Sequence, residues 1–173
     1  MRKRALLFVA ALTWASAVLY AQSVQPPPDP PGTIYGSKNP EKISTYLTYN
    51  IFFRIAACAE NASEAQRRVC KLVRRRVGLA PDDEQQLEIQ LDQFLAAANS
   101  IDTQLAEVAK LPVGDPNRKA LLRELLKQRR KLVVATVGAL RQGLSPQGAQ
   151  QLESYVVEMK KNVKMAPVKA KQS

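Results

Sequence analysis

Between residues 81 and 110 the apolar side chains Leu87, Leu91, Phe94, Ala98, Ile101, Leu105 and Val108 recur at steps of 4, 3, 4, 3, 4 and 3. That is the heptad stripe of a helix buried along one side. At 1.5 Å per residue such a helix is about 45 Å long. Pro81 fits the first helical position, where its missing N–H costs nothing, and Pro112 ends the pattern.

Similar punctuation predicts four more helices. One spans 40–60, opened by Asn39-Pro40, with Ile43, Leu47, Ile51 and Ile55 at i+4 steps and Tyr46, Phe52 and Phe53 widening the stripe. It has no broad polar face and should be well buried. The next spans 63–77, where Ser63 and Gln66 make a capping box. Its apolar side reads Ala65, Val69, Leu72, Val73 and Val77, and cations occupy the rest. After the 81–110 helix, the turn PVGDPN leads into a helix over 116–142 whose buried side is Leu122, Leu125, Leu126, Val133, Val137, Leu140 and Leu144. The last spans 146–164, with Ala149, Leu152, Tyr155, Val156, Met159 and Val163. No segment shows strand alternation. The expected fold is all-α, an elongated set of antiparallel helical hairpins over 39–165.

Charge refines this picture. The 81–110 helix carries Asp82, Asp83, Glu84, Glu88, Asp92, Asp102 and Glu107, and the 116–142 helix carries Arg118, Lys119, Arg123, Lys127, Arg129, Arg130 and Lys131. An acidic helix beside a basic one suits an antiparallel hairpin, although each exposed pair contributes well under ~1 kcal/mol.

The ends of the chain have a different character. MRKR followed by the uncharged apolar run Ala5–Val18 and by Leu19-Tyr20-Ala21 has the layout of a secretory signal peptide over 1–21. The run is short of the roughly 20 residues a membrane anchor needs. Cleavage follows Ala21 or, within Ala15-Ser16-Ala17, Ala17. The chain is thus expected to be exported. Residues 22–38, with QPPPDPP, read as a Pro-rich flexible linker, and 166–173 as a loose basic tail.

Removing residues 1–21 takes away three basic residues and no acidic ones, leaving 23 basic against 15 acidic side chains, a net +8. That balance suits an anionic partner: a membrane surface, a cell-wall polymer or an acidic protein. Export argues against nucleic acid. The alternative is cations simply solvated on helix faces. Cys58 and Cys70 have no His anywhere to join them in a zinc site. In an oxidising compartment they are expected to form one disulfide, worth about 3 kcal/mol by loop entropy; free buried thiols are the alternative. With no His and no Gly-rich phosphate loop, neither catalysis nor a cofactor is expected.

GLAPDDEQQLE, from Gly78, returns 65 residues later as GLSPQGAQQLE, from Gly143, with seven of eleven positions identical. Gly78 and Gly143 read as left-handed helix stops, Leu79 and Leu144 as apolar joints, Ser145 as an N-cap, and Pro81 and Pro146 as helix starts. Paired Leu-(Thr/Ser)-x-x-Gln corners flanking a helical hairpin resemble the Spy/CpxP (LTXXQ-motif) family of bacterial periplasmic proteins. The resemblance covers about Val77 to Lys164, with Ala80 at a Thr/Ser position and Asp83 and Gly148 at the Gln positions. The preceding Tyr49-Asn50-Ile51-Phe52-Phe53-Arg54 is similar to an uncharacterised set of exported helical proteins.

The resemblance implies an ATP-independent chaperone or envelope-stress modulator, often dimeric, that meets an unfolded client or an envelope protein on a basic, partly apolar face. Here Arg67, Arg68, Lys71, Arg74, Arg75, Arg118, Arg123, Arg129 and Arg130 would form that face. A structural or interaction module that binds one envelope protein or an anionic surface is the other reading.

Overall fold

Among the described residues, five α-helices carry the fold: α1 Thr45–Ala56, α2 Glu64–Val77, α3 Pro81–Lys110, α4 Arg118–Gly143 and α5 Pro146–Met159. They belong to a computed structural model that describes residues 29–166. The signal peptide read over 1–21, the linker as far as residue 28 and the tail beyond 166 lie outside the described residues. The fold is all-α, and α3 has the bounds its stripe predicts.

The first helix is shorter than the predicted 40–60. Residues 40–42 make a single 3-10 turn, and Ile43 then turns extended (φ −86°, ψ 116°). That break drops the Ile43 side chain into the core. The helix restarts at Thr45 and stops at Ala56, because Ala57 is extended (ψ 131°) and leads Cys58 toward Cys70. The i+4 isoleucine stripe does not decide which face is buried. Phe52, Phe53, Tyr49 and Ala56 are inside, while Ile55 is exposed. The aromatic side has more apolar area to remove from water, so it wins the core.

That aromatic face is the centre of the molecule. Phe53 meets Phe94 of α3 at 5.0 Å between centroids, and Phe52 meets Tyr155 of α5 edge-on at 5.8 Å. Leu87, Leu91 and Ala98 of α3, Val133 and Leu140 of α4, and Leu152 and Val156 of α5 complete one core. On α3 the stripe is buried from Leu87 to Ile101, and on α4 the first buried residue is Leu125. The hairpin tip, 102–124, therefore stands out as a two-helix arm. Arg54 of α1 and Arg129 of α4 both reach Asp102 at its base. Burial alone would raise the Asp102 carboxyl, but the hydrogen bonds from these two guanidinium groups hold it below the usual range.

A short sheet, unforeseen from the sequence, closes the fold. Ile34–Tyr35 (β1) pairs antiparallel with Lys164–Met165 (β2). Residues 29–38 are thus not free linker, and the last helix ends at Met159 instead of 164, followed by a 3-10 turn over 160–162. Two residues per strand are too few for an alternation signal, which is why the pattern hid them. Asp29 ties the pair: it accepts from the Tyr35 hydroxyl and from Lys164 Nζ. Lys164, and after it Tyr35, hold the Asp29 carboxyl below its ordinary value.

Candidate functional site

The two copies of the repeated phrase are corners, and they differ. Gly78 is left-handed (φ 78°) and closes α2, as expected. Gly143 is not. It is the last residue of α4, and the chain leaves through an extended Leu144 (ψ 154°). Tertiary packing explains the difference: Leu144 is buried by the extended exit. Pro81 and Pro146 start their helices, and Ser145 caps α5 by accepting from Gly148 N–H at 3.0 Å.

The corners also touch. Asp83, buried, accepts from the Ser145 N–H at 2.7 Å and from the Ser145 hydroxyl at 2.6 Å. A Cβ at Gly148 would run into the same carboxylate. The Ser145 hydroxyl, then its N–H, hold the Asp83 carboxyl below its usual value of 3.8. Asp83 and Gly148 hold the same place in the two phrases, and here they face each other. Their equivalent place in the repeat was the available signal for a contact that residue-by-residue reading missed.

Cys58 and Cys70 form the expected disulfide, with Cα atoms 5.9 Å apart. It joins the end of α1 to the middle of α2. The Ser63–Gln66 capping box that opens α2 is complete, with Ser63 N–H donating to Gln66 Oε1 at 2.8 Å and Gln66 N–H to Ser63 Oγ at 3.3 Å.

Helix α2 is turned differently from its apolar pattern. It packs through Cys70, Val73, Arg74 and Val77, leaving Val69 53% and Leu72 50% exposed. Rotation about the helix follows from the disulfide, which commits the Cys70 direction inward. Beside Val69 a groove of about 460 Å³ runs between α2, the 57–62 loop and α3, with Ile55, Ala65 and Leu95 among its apolar walls. Exposed aliphatics thus sit next to the cations of α2.

The nine arginines and lysines of the predicted basic face do not form one surface. Arg74 is inside: its side chain is 8% exposed and pairs with Glu88 at 2.5 Å. Arg118 and Arg129 lie in the heptad register of Leu125 and Thr136 and are partly buried, and Arg129 is tied to Asp102. Arg67 donates to the carbonyls of Ala62 and Glu60, and Arg68 pairs with Glu64. Lys71 and Arg75 are exposed on α2, Arg123 and Arg130 on α4. Two patches result, one on each helix.

The expected charge matching of α3 with α4 reduces to one contact, Asp102–Arg129. Other α3 acids turn elsewhere: Glu88 to α2 and Asp83 to the start of α5. Among the described residues no group of three or more His, Cys, Asp or Glu side chains is placed to hold a metal ion. No protein-family model, curated protein or solved structure matches the chain.

Proposed function

We propose that this is an exported helical binding protein of Spy/CpxP type, which holds apolar segments of a protein partner without nucleotide. The observation that carries the reading is the α2 surface. Val69 and Ile55 are exposed in the wall of an apolar groove, Leu72 is exposed on the same helix as Val69, and Arg68, Lys71 and Arg75 are exposed on the Leu72 side. Monomeric proteins rarely leave contiguous aliphatics in water unless something covers them. Neighbouring cations speed encounter with acidic or unfolded partners, and the apolar patch supplies affinity. The LTXXQ-like corners support the same family, and the disulfide suits the oxidising periplasm. A dimer that shares this surface belongs to the same reading.

The test is suppression of aggregation of a reduced, unfolded model client by the mature chain. Activity at equimolar ratio is expected, with a several-fold loss in Val69→Asp and Leu72→Asp, whose exposed positions leave the fold intact. No suppression at several-fold excess removes the chaperone reading. The second reading, a module for an anionic surface, is favoured by the cations of α4.

A further inference from the structure

Helix α4 contains eight cations and one acid, Glu124. Arg118 and Arg129 are partly buried on the same face of α4 as Leu125 and Thr136, and Arg141 pairs with Glu153 of α5 at 3.5 Å. The other five, Lys119, Arg123, Lys127, Arg130 and Lys131, are all exposed, with Arg130 lying over the Tyr46 ring at 5.8 Å. At 100° per residue they fall within an arc of about 120°, its middle about 140° round the helix from the buried line of Leu125, Val133, Thr136 and Leu140. Among the described residues their one ion pair is a loose contact of Lys127 with Glu124, at 3.9 Å. The acids of α3 do not neutralise them. Two exposed aliphatics accompany it, Val134 at 60% within the arc and Leu126 at 52% about 20° beyond its edge. From Lys119 to Val134 the strip is about 23 Å long on a continuous helix.

We infer that this outward strip of α4 is a docking surface for an anionic lipid bilayer. Charge complementarity selects an anionic occupant. The breadth of the strip and its two aliphatics favour a flat bilayer, which receives cations across a wide arc and buries Leu126 and Val134 at the headgroup boundary. A single polyanionic strand tracks a narrower line and offers nothing to the aliphatics. Among the described residues no helix is long and apolar enough to cross a membrane. The site deepens the anionic-surface reading, rests on it, and is separate from the α2 groove.

The test is sedimentation of the mature chain with sucrose-loaded vesicles, phosphatidylcholine alone or with one quarter phosphatidylglycerol. Binding is expected to the anionic vesicles and to fall steeply with salt. At about fivefold per cation near the surface, Lys119→Gln/Arg123→Gln/Lys127→Gln/Arg130→Gln should weaken it by at least 100-fold. The control Arg68→Gln/Lys71→Gln/Arg75→Gln on α2 should stay within about twofold of the parent. Leu126→Ser/Val134→Ser should weaken it severalfold, with the helical circular-dichroism signal unchanged. Equal binding to neutral vesicles, an unaffected quadruple variant, or equal loss in the α2 control would overturn the assignment. So would tight binding to heparin with no effect of Leu126→Ser/Val134→Ser, which would mark a polyanion site. Aggregation suppression reads the α2 groove, so the two proposals fail separately.

Discussion

At the scale of single residues, identical letters in the repeated phrase do different work. Gly78 holds a left-handed backbone that an L side chain adopts at a cost, while Gly143 ends α4 in ordinary helical conformation. Gly78→Ala should therefore lower stability by about 1–2 kcal/mol. Gly143→Ala should raise it by up to about 0.5 kcal/mol, the low end of what glycine costs inside a helix, because Gly143 is the last helical residue. A Cβ there meets Gln86 Oε1 at 3.7 Å, an ordinary contact. Urea unfolding midpoints moving in opposite directions would bear this out; two equal losses would mean that both corners need left-handed glycine. The sequence showed that both glycines end helices. It could not show the backbone angle, because Leu144's burial decides the exit from α4.

At the scale of elements, α3 and α5 are locked by a carboxylate. Asp83 serves the first turn of its own helix and the cap of another, so one group organises two helix starts. Its carboxyl is held low by Ser145, which fixes the sign of the pH dependence. Stabilisation is fully present above the ordinary value of 3.8 and is lost as pH falls through the lowered folded value. Asp83→Asn and Ser145→Ala should each lower the unfolding midpoint at pH 7, and the deficit relative to the parent should shrink below pH 3.8. A deficit independent of pH would show that packing, not ionisation, matters at this corner. The acid-rich start of α3 was legible as a dipole effect, but Asp82, Asp83 and Glu84 are equivalent to that argument. Which one turns inward depends on where α5 begins, sixty residues on. The same limit applies to Arg74, one cation in a run on α2 until the disulfide sets the rotation of the helix and Glu88 arrives opposite.

At the scale of the whole molecule, closure comes from its two ends. β1 and β2 hold residue 34 against 165, Asp29 ties Lys164 to Tyr35, and Gly36 lies against the Lys160 carbonyl. Gly36→Ala would place a methyl group on that carbonyl, with an expected cost of about 1–3 kcal/mol from overpacking. Its helical circular dichroism should be unchanged, because the aromatic core under α1 does not include these strands. A parent-like thermal midpoint would show that the strand pair closes without bearing on stability.

Periodicity by itself determined the helices, most securely α3, because a 4-3 stripe of that length has one solution. Capping residues determined most helix starts, since the Ser63 box and the prolines act within one turn. Two cysteines flanking a short bend determined the disulfide. Tertiary structure decided what depends on partners far along the chain. It chose the aromatic face of α1 over the isoleucine stripe, took Arg74 and Arg129 out of the basic face, and left five cations of α4 without the acids of α3. The physical reason is common to all three. Local pattern sets which conformation a segment adopts, but burial is a competition between faces for one core, and a charge is free only when no distant element brings it a partner.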